Sequence, residues 1–137
     1  MNANSSQMIE QLNTNHKLLV TIVQKGLASK VVKASKSAGA KGGTILFGRG
    51  HGIHEKRTFL GFTIDSDKEV ILTLMPEEIM DHILSAVEKA ANLHKPSHGI
   101  GFVVDVKKLA GIAHLLKFYK NTKTESINKT DCGGYNE

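Results

Sequence analysis

Five of the chain's 13 glycines, Gly42, Gly43, Gly48, Gly50 and Gly52, fall within eleven residues. The last three recur at every second position, so extended backbone puts them on one face and leaves that face bare. A bare strand face admits a ligand or a second backbone at close range, and the same composition also suits a flexible loop edge. The segment has no Lys-Ser/Thr pair and does not open a helix, so neither the P-loop nor the dinucleotide fingerprint applies. Among seven histidines, His51 and His54 share this loop, and His94 and His98 share another. Their spacings are permitted for metal ligands but are far less diagnostic than a Cys-x-x-Cys pair; exposed or ligand-contacting histidines are the competing reading. The only cysteine, Cys132, lies in a polar tail, and the chain contains no nucleophile elbow and no HExxH. A binding protein is expected, not an enzyme.

The elements that must position these residues follow from periodicity. Residues 17–24 (KLLVTIVQ) are rich in β-branched side chains and form a strand. Residues 27–38 place apolar side chains at 27, 28, 31, 32, 34 and 38, with Lys30, Lys33 and Lys36 on the other side, which predicts an amphipathic helix stopped at Gly39. Residues 44–47 form a short strand that runs into the glycines. Residues 59–64 and 69–75 are two strand-like runs separated by the turn cluster Asp65-Ser66-Asp67. Pro76 suits the first position of a second helix, with Glu77 and Glu78 complementing its dipole and Ile79, Met80, Ile83, Leu84, Val87, Ala90 and Ala91 as its stripe. Pro96 and Gly99 break the chain before a last strand at 100–106. The order β-α-β-β-α-β is the ferredoxin-like plan, an α+β fold with both helices on one face of a four-stranded antiparallel sheet.

Both faces of the first strand are apolar, with Leu18, Val20 and Ile22 on one side and Leu19 and Val23 on the other. Two helices cannot cover two faces, so oligomerisation through the bare face is expected. Residues 109–116 suit a further short helix, and the polar residues beyond 117 a loosely held tail. The expected organisation is an extension at 1–16, with one or two helical turns around Met8, Ile9 and Leu12, a domain at 17–113 and a tail at 114–137.

At 137 residues one core is expected. The single cysteine excludes an intramolecular disulfide and fits a reducing compartment. No apolar run reaches the ~20 residues that span a bilayer, and no basic-then-apolar leader is present, so a cytoplasmic location without membrane insertion is expected. The net charge of +5 is unevenly placed: residues 17–57 carry a local +8 and residues 58–91 a local −5. This division suits an anion site, a charged subunit contact or simply solvated lysines. Lys30, Lys33 and Lys36 lack interleaved aromatics, so no nucleic-acid partner is expected.

From residue 17 to about 112 the sequence resembles the PII nitrogen-regulatory signalling family. The carriers are Thr44, Gly50-His51-Gly52, Leu-Met-Pro-Glu-Glu-Ile at 74–79, and Ser97-His98-Gly99-Ile100-Gly101-Phe102-Val103-Val104-Asp105-Val106. The resemblance implies a homotrimer with an adenine nucleotide (ATP, ADP or AMP) as effector in each intersubunit cleft, no obligatory cofactor, and regulation of a transporter or metabolic enzyme through the loop at 50–68. It implies a ligand site at Thr44, Gly50, His51, Gly52, Leu74, Ser97, His98 and Gly99, and Lys95 or Arg49 is expected to supply the charge there in place of the family's own cations. The departures point to a divergent member. Residues 53–67 contain no tyrosine to match the family's modified one. The glutamine that helps hold Mg-ATP and 2-oxoglutarate falls at His54, which weighs against 2-oxoglutarate. A phosphate-binding lysine falls at Ile100, and two C-terminal arginines fall at Gly111 and Ala113. The alternative is a metal-binding trimer of related fold that uses the loop histidines.

Overall fold

The computed structural model describes residues 16–52 and 58–109. The chain divides into two compact units, Met1–Lys107 and Lys108–Glu137. The expectations for 1–15, for the helix and tail after 109, and for His54, Gly111 and Ala113 lie outside the described residues.

Within the first unit the elements are β1 (His16–Gln24), α1 (Ala28–Ser37), β2 (Thr44–Gly50), β3 (Thr58–Phe59), β4 (Phe62–Thr63), β5 (Ser66–Pro76), a 3-10 turn (Glu77–Ile79), α2 (Met80–Ala91) and β6 (Gly99–Val106). The four long strands form an antiparallel sheet in the order β2-β5-β1-β6, as the ferredoxin-like plan requires. The strand-like run at 59–64 is not one strand but a two-residue hairpin, β3–β4, turned at Leu60 (φ 50°) and Gly61 (φ 82°). Positive φ at both central residues marks the primed turn whose twist matches that of paired strands. The cluster at 65–67 is shorter than its polarity suggests, because β5 takes up Ser66 and Asp67 by pairing them with Gly50 and Arg49. Pro76 is the extended residue before the 3-10 turn (φ −64°, ψ 149°), not the first residue of a helix.

Period-two alternation divides the sheet into two unlike faces. Leu19, Val23, Ile71 and Met75 are fully buried with Val31 of α1 and Ile83 and Val87 of α2. The helices therefore cover the face of odd-numbered positions. Leu27 and Val32 pack at the rim of this core, as do Ile79, Met80 and Leu84. One polar residue breaks the α1 stripe: Ser35 is fully buried and donates its hydroxyl to the Val32 carbonyl at 2.9 Å.

The helices end and begin by identifiable chemistry. Gly39 (φ 112°) closes α1: its N–H reaches the Lys36 carbonyl at 3.1 Å, and Ala40 N–H reaches that of Ser35 at 2.9 Å. This double bond pattern satisfies carbonyls that the last turn would otherwise orphan. Asn92 (φ 51°) ends α2 in the same way, with Leu93 N–H on the Glu88 carbonyl at 3.0 Å. At its start α1 has no side-chain cap from its own cap residue, Leu27. The cap comes instead from the sheet: Glu69 of β5, 8% exposed, accepts the Ala28 N–H at 2.7 Å. A carboxylate there satisfies an unpaired donor and faces the positive end of the helix.

The other end of β1 is held by Lys17, whose Nζ donates to Asp105 Oδ1 at 2.6 Å and lies 3.4 Å from Glu77 Oε1. The hydrogen bond from Lys17 holds the Asp105 carboxyl below its usual range. Any stability it contributes is present above the ordinary carboxylate pKa and fades as pH falls through the lowered one. Two fully buried hydroxyls, Thr21 and Thr73, have no hydrogen-bond partner among the described residues.

Chemical denaturation should separate these polar residues. Glu69→Ala should cost about 1.5–3 kcal/mol by orphaning the α1 donor, while Glu69→Gln costs less because its amide oxygen still accepts. Thr73→Val, which removes a buried unsatisfied hydroxyl at constant shape, should be neutral or stabilising.

Candidate functional site

The face of even-numbered positions has no helix over it. Leu18, Val20 and Ile22 of β1 register with Leu74, Leu72 and Val70 of β5 and with Val104, Phe102 and Ile100 of β6. Leu46 is 48% exposed, Ile100 56%, Phe102 43% and Val104 44%, which is unusual for so continuous an apolar surface.

At one end of this face lies a cavity of about 520 Å³. Its floor is the sheet itself: Ile22, Val70 and Ile100 are apolar, and Lys68 and Gly48, directly paired across β5 and β2, continue the row. Arg49, Gly50, His51 and Gly52 form one wall, and Ser97 and Gly99 the opposite one. The two loops that sequence reasoning expected to converge do converge. The Ser97 wall is fixed by Gln24, whose Nε2 donates to the Ser97 carbonyl at 3.1 Å; Ser97 itself sits at φ 66°.

The glycines of the two walls are glycines for opposite reasons. A Cβ built on Gly48 or Gly50 meets nothing within 4 Å, so it would project into open space over the sheet. Gly99 (φ 145°) faces inward, where a Cβ would collide with the Ile22 carbonyl oxygen. Gly48 and Gly50 thus leave room that the fold does not use, whereas Gly99 is required for β6 to pair with β1.

The cavity is cationic but sparsely so. Arg49 makes no ion pair among the described residues, and Lys68 adds a second positive charge. Asp67, beside them, is matched by Lys25 at 3.3 Å. His51 Nδ1 lies 2.7 Å from Asp65 Oδ1, and the Ser66 hydroxyl donates to the Gly50 carbonyl at 3.2 Å. Both contacts join the end of β2 to the start of β5, closing the neck of the loop that carries the β3–β4 hairpin.

Of the expected residues, Arg49, Gly50, His51, Gly52, Ser97 and Gly99 line the cavity; Thr44, Leu74, Lys95 and His98 do not. Thr44 and Leu74 share the bare face but lie six positions along their strands from Gly50 and Lys68, roughly 20 Å away at the rise of a β-strand. Lys95 and His98 belong to the turn after α2, where Lys95 N–H bonds to the Asn92 carbonyl at 3.0 Å. Lys68, Ile22 and Val70 were missed, while Gly48 was read as part of the bare glycine face and Ile100 as the place of a family lysine without either being counted in the site. Strand alternation with the pairing of 48 and 68 is the signal that would have found them. Among the described residues no group of three or more His, Cys, Asp or Glu is placed to hold a metal ion.

A family model described as "Nitrogen regulatory protein P-II" matches residues 16–114. The chain belongs to the PII family. Its fold is similar to that of Arabidopsis thaliana PII bound to citrate, with a TM-score of 0.54 at 17% identity, covering 69% of this chain and 79% of that one. No curated protein sequence matches the chain. PII proteins are signal-transduction regulators, generally non-enzymatic and typically trimeric. Among the described residues no helix of this PII protein is long and apolar enough to cross a membrane.

Thermal melts should distinguish the two kinds of glycine. Gly48→Ala and Gly50→Ala should melt near the wild type. Gly99→Ala should lose at least about 2 kcal/mol, because it adds both strain at positive φ and a backbone collision.

Proposed function

We propose that this PII protein binds an adenine nucleotide in the cavity at the end of its bare sheet face and regulates a transporter or metabolic enzyme through the loop at 50–68. The observation that carries the proposal is the joining of unused space over Gly48 and Gly50 with Arg49, His51 and Lys68 around one apolar floor. Ile22, Val70 and Ile100 offer a flat apolar surface for a base, and the cations sit where a phosphate chain would end. Two cations are few for a triphosphate, since charge-assisted hydrogen bonds contribute roughly 1.5–3 kcal/mol each. A nucleotide with fewer phosphates than ATP suits this charge better, and 2-oxoglutarate is not expected to bind.

The same reading makes the protein a cytoplasmic homotrimer. Burying Leu46, Ile100, Phe102 and Val104 against neighbouring copies removes the exposed apolar face, and it brings a second subunit to the border of the cavity. Catalysis has no part in this reading, which needs only occupancy and release.

Isothermal titration calorimetry of the purified protein with ATP, ADP, AMP, 2-oxoglutarate and a divalent metal tests the proposal. Saturable binding of an adenine nucleotide is expected, weakened about tenfold, or 1.4 kcal/mol, by Gly50→Ala or Lys68→Ala and little changed by Lys33→Ala on α1. Metal uptake without nucleotide binding would instead support a histidine-based metal trimer. Sedimentation showing a stable monomer at micromolar concentration would overturn the assembly.

A further inference from the structure

The cavity presents cations and no acid. Among the described residues that line it, Arg49 and Lys68 carry positive charge and none is an aspartate or glutamate. Three acids stand close by in the chain, Asp65, Asp67 and Glu69, and each bonds to another group. Asp65 Oδ1 lies 2.7 Å from His51 Nδ1, Asp67 Oδ2 lies 3.3 Å from Lys25 Nζ, and Glu69 accepts the Ala28 N–H at 2.7 Å. Strand alternation accounts for two of the three. Within β5, Asp67 and Glu69 flank Lys68, so the pleat that brings Lys68 onto the cavity floor turns both acids to the helix side of the sheet.

These placements do not fit the Mg-ATP of the family. Magnesium on a nucleotide keeps several waters and usually takes a protein carboxylate besides the phosphate oxygens. The cavity offers no carboxylate, and the imidazole of His51 is a poor ligand for so hard an ion. A magnesium ion would also cancel the negative charge that Arg49 and Lys68 attract, and would set a dication beside them. We infer that the cavity takes its nucleotide as the metal-free anion, with Lys68 selecting against the magnesium complex. The inference rests on the nucleotide reading and narrows it to an uncomplexed nucleoside monophosphate or diphosphate. Magnesium and the protein then compete for one diphosphate, so a rise in free magnesium releases it.

The test is calorimetry on the full chain in EDTA and again in excess magnesium, at matched ionic strength so that screening is equal. ADP should bind about tenfold more weakly with magnesium, while AMP, which chelates magnesium feebly, should bind alike in both buffers. Lys68→Gln should weaken binding of free ADP and leave that of magnesium-ADP nearly unchanged, so the ratio between the buffers shrinks. Lys33→Ala on α1 should keep the ratio. Inorganic pyrophosphate, which has no base, is the second probe. If it binds and magnesium weakens it while no adenine nucleotide binds, the nucleotide reading fails and the metal-free anion site stands. Equal or tighter binding of ADP with magnesium overturns the inference, because a carboxylate, of this copy or a neighbouring one, must then complete the metal's shell. An unchanged ratio in Lys68→Gln overturns the selecting role of Lys68. Binding of neither ADP nor pyrophosphate in either buffer overturns the site itself.

Discussion

The dominant constraint on this molecule is that its sheet is apolar on two faces while its helices cover one. In β1 from Leu18 to Val23 and in β5 from Val70 to Met75 every position but Thr21 and Thr73 carries an apolar side chain, and alternation sends half of them away from α1 and α2. An uncovered apolar sheet face of this extent is a surface awaiting a partner. It also decides where a ligand can sit. The helix-covered side is filled by Leu19, Val23, Ile71, Met75 and the two helical stripes, and the cavity between the two loops lies on the even-numbered side.

The cavity is a consequence of how that face ends. Toward β2 the apolar row of Leu46 and Val70 gives way to Gly48 opposite Lys68 and Gly50 opposite Ser66, so side-chain bulk disappears just where a cation enters. On the β6 side the strand begins at Gly99, where only a residue without Cβ can approach Ile22. One wall is thin because glycines leave it open, and the other is close because a glycine lets the backbones meet. The letter is the same and the physics is opposite, which a sequence alone cannot distinguish.

What the sequence disclosed, it disclosed through periodicity. The apolar spacing in α1 and α2, the alternation in β1, β5 and β6, and the surplus apolar face all come from side-chain patterns; the bounds of β1, α1 and β6 held to within one residue, while β5 begins three residues earlier than expected and α2 four residues after Pro76. What it hid depends on pairing. Lys68 carries no local mark, and its place on the cavity floor follows from antiparallel register with Gly48, twenty residues away. Thr44 and Leu74 belong to motifs of the right family, yet a motif names a residue without saying how far along the sheet it lies. The hairpin was concealed because Leu60 is a poor turn residue, and only the following Gly61 hinted at a bend. Glu69 was hidden for a related reason: a carboxylate inside a strand reads as an exposed position until α1 is seen to begin above it.

Site and loop are joined by backbone as well as by proximity. Strand β5 carries Val70 and Lys68 on the cavity floor and Ser66 at the neck of the loop, with Asp65 just before it, all within six residues. His51 belongs to both regions, lining the cavity while its Nδ1 meets Asp65. A group that enters the cavity therefore touches the same short stretches of β2 and β5 from which the hairpin is suspended. Coupling between distant sites needs an element whose arrangement both ends can bias. Here no distance has to be crossed, because one pair of strand ends forms the wall of the site and the root of the loop.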